Sequence, residues 1–471
     1  MSDRSFQSLS GGALFALTAG LAGFVAAAFA PQLFNDSDTY WHISAGAWML
    51  DHHAVLRADP FSFTLAGAPW NAQEWLSEII MALSWRAAGW AGLHLLFGLA
   101  AGTACAVLGF ALRRRLSREA ALVALVLGIG CMAGSLLARP HLLALPVLAL
   151  WTAGLTQARD QGRLPSPWLL LLIPLWANLH ASFLFGLALV AALGAEAVVE
   201  TPSRRVVGGW LRFIAIAISL SLLTPQGLDG LLFPFRLMAM ESMRHIGEWQ
   251  SANFASLSTF EIALLAVFFF FATRGIKLPV VRTGIFLGLI HFSLAHSRYE
   301  MLAGIAGPLL LAGPLGKSFV PSKTTGAGIG TPLAIAASLL FALLVGARLI
   351  MPVTRGDDAV SPVAALSQVP SSLRATPVLN DYAFGGYLIF SGLRPFIDSR
   401  ADLYGDNFLN DYAAIQSPDR DHLQAALARY HIGWTMLAAD SPANEILDTL
   451  PGWRRLYRDS VAAIYVREQL L

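Results

Sequence analysis

Long apolar runs, nearly free of charge, follow one another through most of this chain with only short gaps between them. A helix needs roughly 20 apolar residues to cross the hydrocarbon core of a bilayer, fewer where it ends in a protein-lined cavity. By that ruler the runs at 11–33, 88–112, 119–138, 141–157, 167–178, 182–199, 207–224, 259–273, 279–296, 300–315 and 331–351 make about eleven spans. The pair 167–178 and 182–199 also fits one long helix broken at Asn178-Leu179-His180. Only 13% of the residues are charged, against about 25% in soluble domains, so the sequence predicts a mainly α-helical polytopic membrane protein. A net charge of +2 gives no reason to expect nucleic acid as a partner. Cys105 and Cys131 both fall inside apolar runs, which argues against a disulfide framework. Arg4 leads into the first apolar run with no convincing cleavage site, so that run reads as a retained helix.

Basic loops set the orientation. Arg113-Arg114-Arg115 with Arg118, Arg159 with Arg163, Arg204-Arg205, Arg274 with Lys277, and Lys317 with Lys323 alternate with loops poorer in charge. Positive charge stays on the cytoplasmic side, which puts the N-terminus there. A first outer loop (35–87), a second large outer loop (225–258) and everything after Met351 then face the other side. The expected division is a transmembrane domain over 1–351 and a soluble domain over 352–471. The Gly-rich stretch 324–331 lacks the context of a phosphate loop and reads as a linker. Beyond Met351, short β-like runs at Pro377–Asn380, Pro395–Asp398, Trp434–Leu437 and Ala462–Val466 alternate with helix-like segments at Tyr382–Phe390, Asn407–Ile415, Asp421–Tyr430 and Ala443–Leu450. That alternation predicts a small C-terminal α/β domain with a largely parallel sheet.

The first outer loop is longer than a connection needs to be. Asp36 or Ser37 can cap a helix starting at Asp38, with Trp41, Ala45 and Trp48-Met49 apolar at helical spacing. A second amphipathic pattern runs from Gln73 to Arg86, with Trp75, Ile79 and Leu83 on one face and Glu74 with Glu78 on another. Within 225–258, Phe233, Phe235, Leu237 and Met240 are apolar and Arg236, Arg244 and Glu248 polar, which is again a surface-helix pattern.

Charges beside spans are costly and call for a reason. Asp36, Asp38, His42, Glu74, Glu78, Arg139, His141, Asn178, His180, His296, Arg298 and Glu300 all fall near the one outer face. Asp38 and His42 share a helix face, and a helix start keeps Asp38 ionised, as a base for a hydroxyl must be. The plainer reading makes the aspartates caps and His42 a packed side chain. Glu74 and Glu78 read as a solvated helix face, or they join Asp36 and Asp38 around Mg²⁺ or Mn²⁺, Glu74 first, carboxylates suiting both ions; metal use stays open. Arg139 and Arg298, with His296, bring cations able to hold phosphate. Asn178 and His180 either line the cavity or pack in it. Asp51, His52 and His53 read as solvated loop. In the soluble part, Asn380-Asp381-Tyr382 and Asp398-Ser399-Arg400-Ala401-Asp402 follow β-like runs, where α/β sheets gather ligands.

Several of these segments together resemble a known group. Asp38-Thr39-Tyr40-Trp41-His42-Ile43-Ser44-Ala45-Gly46, Asp59-Pro60-Phe61-Ser62-Phe63-Thr64, Trp70 and Glu74-Trp75-Leu76 are similar to bacterial polytopic proteins that look like GT-C-type membrane glycosyltransferases. The likeness extends to Asn178-Leu179-His180, Thr224-Pro225-Gln226-Gly227, Glu248-Trp249, Asn380-Asp381-Tyr382, Gly385-Gly386-Tyr387 and Phe396–Asp402. It implies a GT-C-like architecture and a polyprenyl-phosphate-linked sugar as donor. It also implies an essential acid soon after the first helix, here Asp38 with Asp36 as second choice. The group often has His where this chain has Gln73, so no His-based role carries over there. The expectation is an inverting transferase of the bacterial inner membrane, with the C-terminal domain in the periplasm and an envelope glycan or lipid as acceptor. Asp38, Asp36, His42 and Glu74 are the catalytic candidates, and Arg298, Arg139, His180 and His296 the donor-phosphate ligands. A transporter, flippase or scaffold for envelope glycan assembly is the competing reading; no inverted repeat and few mid-membrane charges speak against it.

Overall fold

The computed structural model describes residues 3–242, 247–318 and 331–470. Residues 324–330 of the expected linker, Lys323, Arg244 and the Glu248 side chain lie outside what is described. The first part of the chain is helical: α1 (Asp3–Ala28), α2 (Ser37–His52), α3 (Trp75–Arg113), α4 (Arg118–Ala133), α5 (Pro140–Asp160), α6 (Leu172–Leu179), α7 (Phe183–Glu200), α8 (Arg204–Ser221), α9 (Leu228–Met238), α10 (Thr259–Arg274), α11 (Val280–Ala295), α12 (Glu300–Ser318) and α13 (Thr331–Ile350). Among the described residues, Trp75–Arg113, Pro140–Asp160 and Phe183–Glu200 are long and apolar enough to cross a membrane. Shorter apolar helices lie at Gly12–Ala28, Pro167–Leu179, Val280–Ala295 and Ile335–Ile350.

Each long apolar run of the sequence carries a helix, and the joints between them have local causes. In α3, Ala88 leaves helical geometry and Gly89 takes φ +56°, a conformation that costs glycine little. The kink separates the amphipathic arm expected up to Arg86 from the apolar run that follows. At His180 the backbone is extended, so α6 and α7 are two helices and not one. α1 and α3 approach through small residues: a Cβ on Gly23 would lie 2.6 Å from the Cys105 Sγ and 2.8 Å from the Ala101 carbonyl oxygen.

At the end of the helical part away from Asp38, Arg282 donates to Glu196 (2.7 and 3.1 Å) and to Asp160 (2.8 Å). Arg159 reaches Glu196 at 3.2 Å and Glu200 at 2.7 Å, and Arg115 lies 3.1 Å from Asp160. These pairs tie α5, α7 and α11 to the residues just past α3 and give each buried charge a partner.

The C-terminal part contains α14 (Val363–Ser367), α15 (Ser371–Arg374), β1 (Val378–Asn380), α16 (Gly385–Phe390), α17 (Ala401–Gln416), α18 (Arg420–Arg429), β2 (Trp434–Ala438), α19 (Ala443–Thr449), β3 (Trp453–Arg458) and β4 (Ala462–Arg467). The sheet order is β1-β2-β4-β3. Only β1 and β2 pair in parallel, Val378 opposite Trp434; β4 is antiparallel to both β2 and β3. The largely parallel sheet expected from the sequence is therefore corrected to a mixed one. Its cause is the tight turn between β3 and β4, where Asp459 accepts from the backbone N–H groups of Val461 (2.7 Å) and Ala462 (2.8 Å). A turn that short forces antiparallel pairing. The run Pro395–Asp398 is not a strand either. The Asn380 side chain meets its polar backbone, accepting from Phe396 N–H (2.7 Å) and donating to the Ile397 carbonyl (2.8 Å).

Candidate functional site

The chain leaves α1 and reaches Asp36, which is extended and caps α2 by accepting from the Asp38 backbone N–H at 2.7 Å. Asp38, Trp41 and His42 then share one face of α2 by helical spacing. Arg139, at the start of α5, comes to the two aspartates: Nε donates to Asp36 Oδ2 at 2.5 Å and Nη1 lies 3.0 Å from Asp38 Oδ2. Trp41 Nε1 donates to Asp38 Oδ1 at 3.1 Å and lies equally close to Ser399 Oγ of the C-terminal part. Thr39 Oγ1 donates to the Ala138 carbonyl, which pins α2 beside the start of α5. The arginine expected on the phosphate thus clamps the acids.

Behind this pair lies a chain of carboxyl and imidazole groups. His42 Nδ1 meets Glu78 Oε1 at 3.1 Å, and His42 Nε2 lies 3.8 Å from Glu74 Oε2. Glu74 Oε1 lies 3.3 Å from His180 Nε2. The His180 tautomer follows from its other nitrogen. Nδ1 accepts from the Ser182 backbone N–H (3.1 Å) and faces Ser182 Oγ (2.8 Å), whose own lone pair is taken by Trp176 Nε1–H (2.9 Å). Nδ1 is therefore bare, and Nε2 carries the proton toward Glu74. Burial, then the neighbouring His141, Arg298 and Arg139, holds the His180 imidazole well below its ordinary range. His180, read from the sequence as a donor-phosphate ligand, thus presents Nε2 toward Glu74. Burial and then Arg139 hold the His42 imidazole well below its ordinary range too.

Glu74, just ahead of α3, is pushed by burial up to about 8; Arg298 is the largest opposing influence, and Asp38 adds to the rise. Its side chain keeps 20% of its surface exposed, whereas that of Glu78 keeps 1%. Neither belongs to the solvated face that spacing suggested, because α2 covers the arm of α3 that bears them. Gly46 permits that approach: a Cβ there would lie 1.9 Å from the Glu78 carbonyl oxygen.

Two further segments close the site. Ahead of α12, Arg298 stacks over the Trp249 ring, its guanidinium carbon 4.4 Å from the centroid. His296, expected on the phosphate, instead has Nδ1 2.6 Å from the Trp249 carbonyl and braces that loop. From the C-terminal part, Asp402 accepts from Trp70 Nε1–H at 2.9 Å, and burial raises both Asp402 and Tyr382, the latter also under the charge of Asp38. Beneath them Arg400 bonds Asp59 (2.8 Å) and Asp398 (2.7 and 2.8 Å) with no side-chain exposure, and joins the C-terminal part to the segment between α2 and α3.

Asp36, Asp38, His42, Glu74, Arg139 and His180 therefore meet in one cluster, and Arg298 acts on it. Sequence reading favoured a solvated Glu78, placed Tyr382 and Asp402 in loops where the sheet gathers ligands, and counted His141 among the outer-face groups. The signal for Glu78 was the shared four-residue spacing of Asp38–His42 and Glu74–Glu78, which lets two helix faces mate. Among the described residues no group of three or more His, Cys, Asp or Glu is arranged to hold a metal ion. Asp36 and Asp38 share Arg139 while Glu74 turns to His180, so these three acids do not fit one cation as they stand.

No protein-family model matches this chain, and no curated protein matches it in sequence. Solved structures do match. One is the archaeal oligosaccharyltransferase AglB from Archaeoglobus fulgidus, in complex with an inhibitory peptide and a dolichol-phosphate. The TM-score is 0.54 at 10% identity, over 100% of this chain and 75% of that one. The likeness shows a shared fold.

Proposed function

We propose that the protein is a membrane glycosyltransferase of GT-C type that moves a sugar from a polyprenyl-phosphate donor to an acceptor hydroxyl. In this reading about eleven helices span a bacterial inner membrane. The cluster around Asp38 opens at the periplasmic face, under the C-terminal domain, and the acceptor is an envelope glycan or lipid. The observation that carries the reading is Asp38 held by Arg139 and Trp41 in the same sheltered cluster that the Arg298 cation acts on. The fold shared with AglB, whose structure holds a dolichol-phosphate, supports a lipid-linked donor.

The residues divide the work by charge. Arg139 faces Asp38 Oδ2 and Trp41 donates to Oδ1, so the carboxylate is oriented to take the proton of the acceptor hydroxyl. The hydroxyl oxygen attacks the anomeric carbon, its proton passes to Asp38, and the bond from that carbon to the phosphate oxygen breaks on the opposite face. The configuration inverts, and polyprenyl phosphate leaves with the electron pair. Arg298 faces the charge that develops there. Trp249 beneath its guanidinium and His296 beneath the Trp249 loop keep it in place. No step calls on a metal ion.

The test uses the purified chain in liposomes with a panel of polyprenyl-phosphate sugars, each supplied with envelope glycan extract. Release of polyprenyl phosphate that depends on the acceptor, together with loss of one sugar from the envelope glycans of a strain lacking the gene, is the expected result. Folded protein that releases none, in a strain whose glycans are unchanged by mass, contradicts the proposal.

A further inference from the structure

Beside Asp38 lies a second carboxyl group whose surroundings are of a different kind. Five acids meet here: Asp36 and Asp38 around α2, Glu74 and Glu78 around the start of α3, and Asp402 of α17. Arg139, Arg298 and Arg400 act on them, but Arg139 is committed to Asp36 and Asp38 and Arg400 to Asp59 and Asp398. Glu78 is buried with Oε2 lacking any hydrogen-bond partner. His180 and His42 add no positive charge, since His180 is locked neutral through Ser182 and burial lowers His42 well below its ordinary range. So many carboxyl groups in a poorly solvated pocket do not all ionise.

We propose that Glu74 is kept as a neutral carboxyl group that donates a hydrogen bond to the phosphate of the lipid-linked donor. We further propose that His180 is the positioning residue that fixes which of its oxygens carries the proton. His180 Nε2 lies 3.3 Å from Glu74 Oε1, so its N–H faces that oxygen and the proton of the neutral carboxyl is assigned to Oε2. The nearest imidazole nitrogen to Oε2, on His42, is 3.8 Å away and beyond hydrogen-bond reach, so the O–H turns to the exposed side of the cleft. Arg298, the charge that acts most strongly on Glu74, serves the same phosphate from the other side. An ionised Glu74 there repels the donor; a neutral one binds it. The groups facing Glu74 are Asp38 and His42 of α2, Glu78 of its own helix, Arg139 of α5, His180 between α6 and α7, Arg298 ahead of α12, and Asp402 of α17. This assignment rests on the donor chemistry proposed above, but the state of Glu74 can be read without any turnover.

Infrared difference spectra of the full chain in liposomes, wild type against Glu74→Gln, give that reading. A protonated-carboxyl C=O band is expected at pH 7, titrating away near pH 8 and missing from Glu74→Gln. Adding a short-chain polyprenyl phosphate shifts the band in the wild type. His180→Phe moves it to higher frequency through loss of the N–H donor, and His180→Gln, which supplies an N–H again, brings it back. With an active donor, its KM rises about tenfold per pH unit above the transition, and Glu74→Gln removes that dependence. A Glu74 ionised at pH 7 overturns the proposal whether or not transfer is observed. A protonated Glu74 whose band ignores polyprenyl phosphate overturns the phosphate contact. If the band and its shift are found but no donor is consumed, the transferase reading fails and this assignment stands.

Discussion

Replacing Arg400 by Met tests how the C-terminal domain is held over the site. The guanidinium has no side-chain exposure, nor do its partners Asp59 and Asp398, which it meets through three hydrogen bonds of 2.7–2.8 Å. It also lies over Trp70 and Phe61, 4.8 and 5.3 Å from their ring centroids. Methionine fills much of the volume but leaves two carboxylates facing each other without a cation. Removing one member of a buried ion cluster costs about 3–5 kcal/mol. For a domain near 100 residues, each kcal/mol lowers Tm by roughly 4–8 °C, so a fall of roughly 12–40 °C is expected. Tryptophan fluorescence melts of the detergent-solubilised protein read this, because Trp70 sits against the cluster. Protease cutting in the first outer loop should rise in parallel, since Asp59 also orders that loop by accepting from Phe61 and Ser62 N–H groups at 3.0 Å. Adding Asp59→Asn and Asp398→Asn to Arg400→Met should recover most of the loss. A melt lowered by less than about 3 °C, or a triple variant no better than the single, refutes the argument that uncompensated charge is what Arg400 prevents.

Gly46→Ala places a methyl group against the Glu78 carbonyl, costs about 1–3 kcal/mol by overpacking and forces α2 off α3. The expected readout is a lower melt together with reduced transfer, because His42 and Asp38 ride on α2. Arg282→Met leaves Glu196 and Asp160 each short of a partner at the far end of the bundle. It should lower the melt of the helical part by an amount like that for Arg400→Met while leaving donor KM, measured on the folded fraction, unchanged. The alkaline rise in donor KM expected from Glu74 completes the set, with binding present below the transition near pH 8 and lost above it.

The reading from sequence went furthest where one local rule decides the outcome. Asp36 as the cap of α2 follows from its residue type ahead of a helical pattern, and the acid after the first helix carried the family resemblance. Glu78 shows where that kind of reading stops. A charged face on an amphipathic helix is solvated or mated according to what packs against it, and only the fold brings α2 over α3. His180 is a second case, since its neutrality comes from Ser182 and Trp176 and not from the histidine itself. In the sheet, β3 was missed because Arg454, Arg455 and Arg458 give it a polar edge-strand composition, with no apolar run to announce it. Pro395–Asp398 looked like a strand because it is apolar, yet the Asn380 side chain takes the hydrogen bonds a neighbouring strand would have supplied. Arg139 is the instructive site residue: its position at a helix start was legible, but its attachment to two acids depends on a contact across 103 residues of chain.

The account stands or falls on Asp38, and the direct measurement is single-turnover sugar transfer by Asp38→Asn in liposomes. Asparagine keeps the shape and the bond from Trp41, gives up the proton-accepting charge, and loosens Arg139. The expected result is a loss of about 10²–10⁴-fold in the transfer rate, with polyprenyl-phosphate sugar still bound and the melt lowered by only a few degrees. Transfer at the wild-type rate by folded Asp38→Asn contradicts the account.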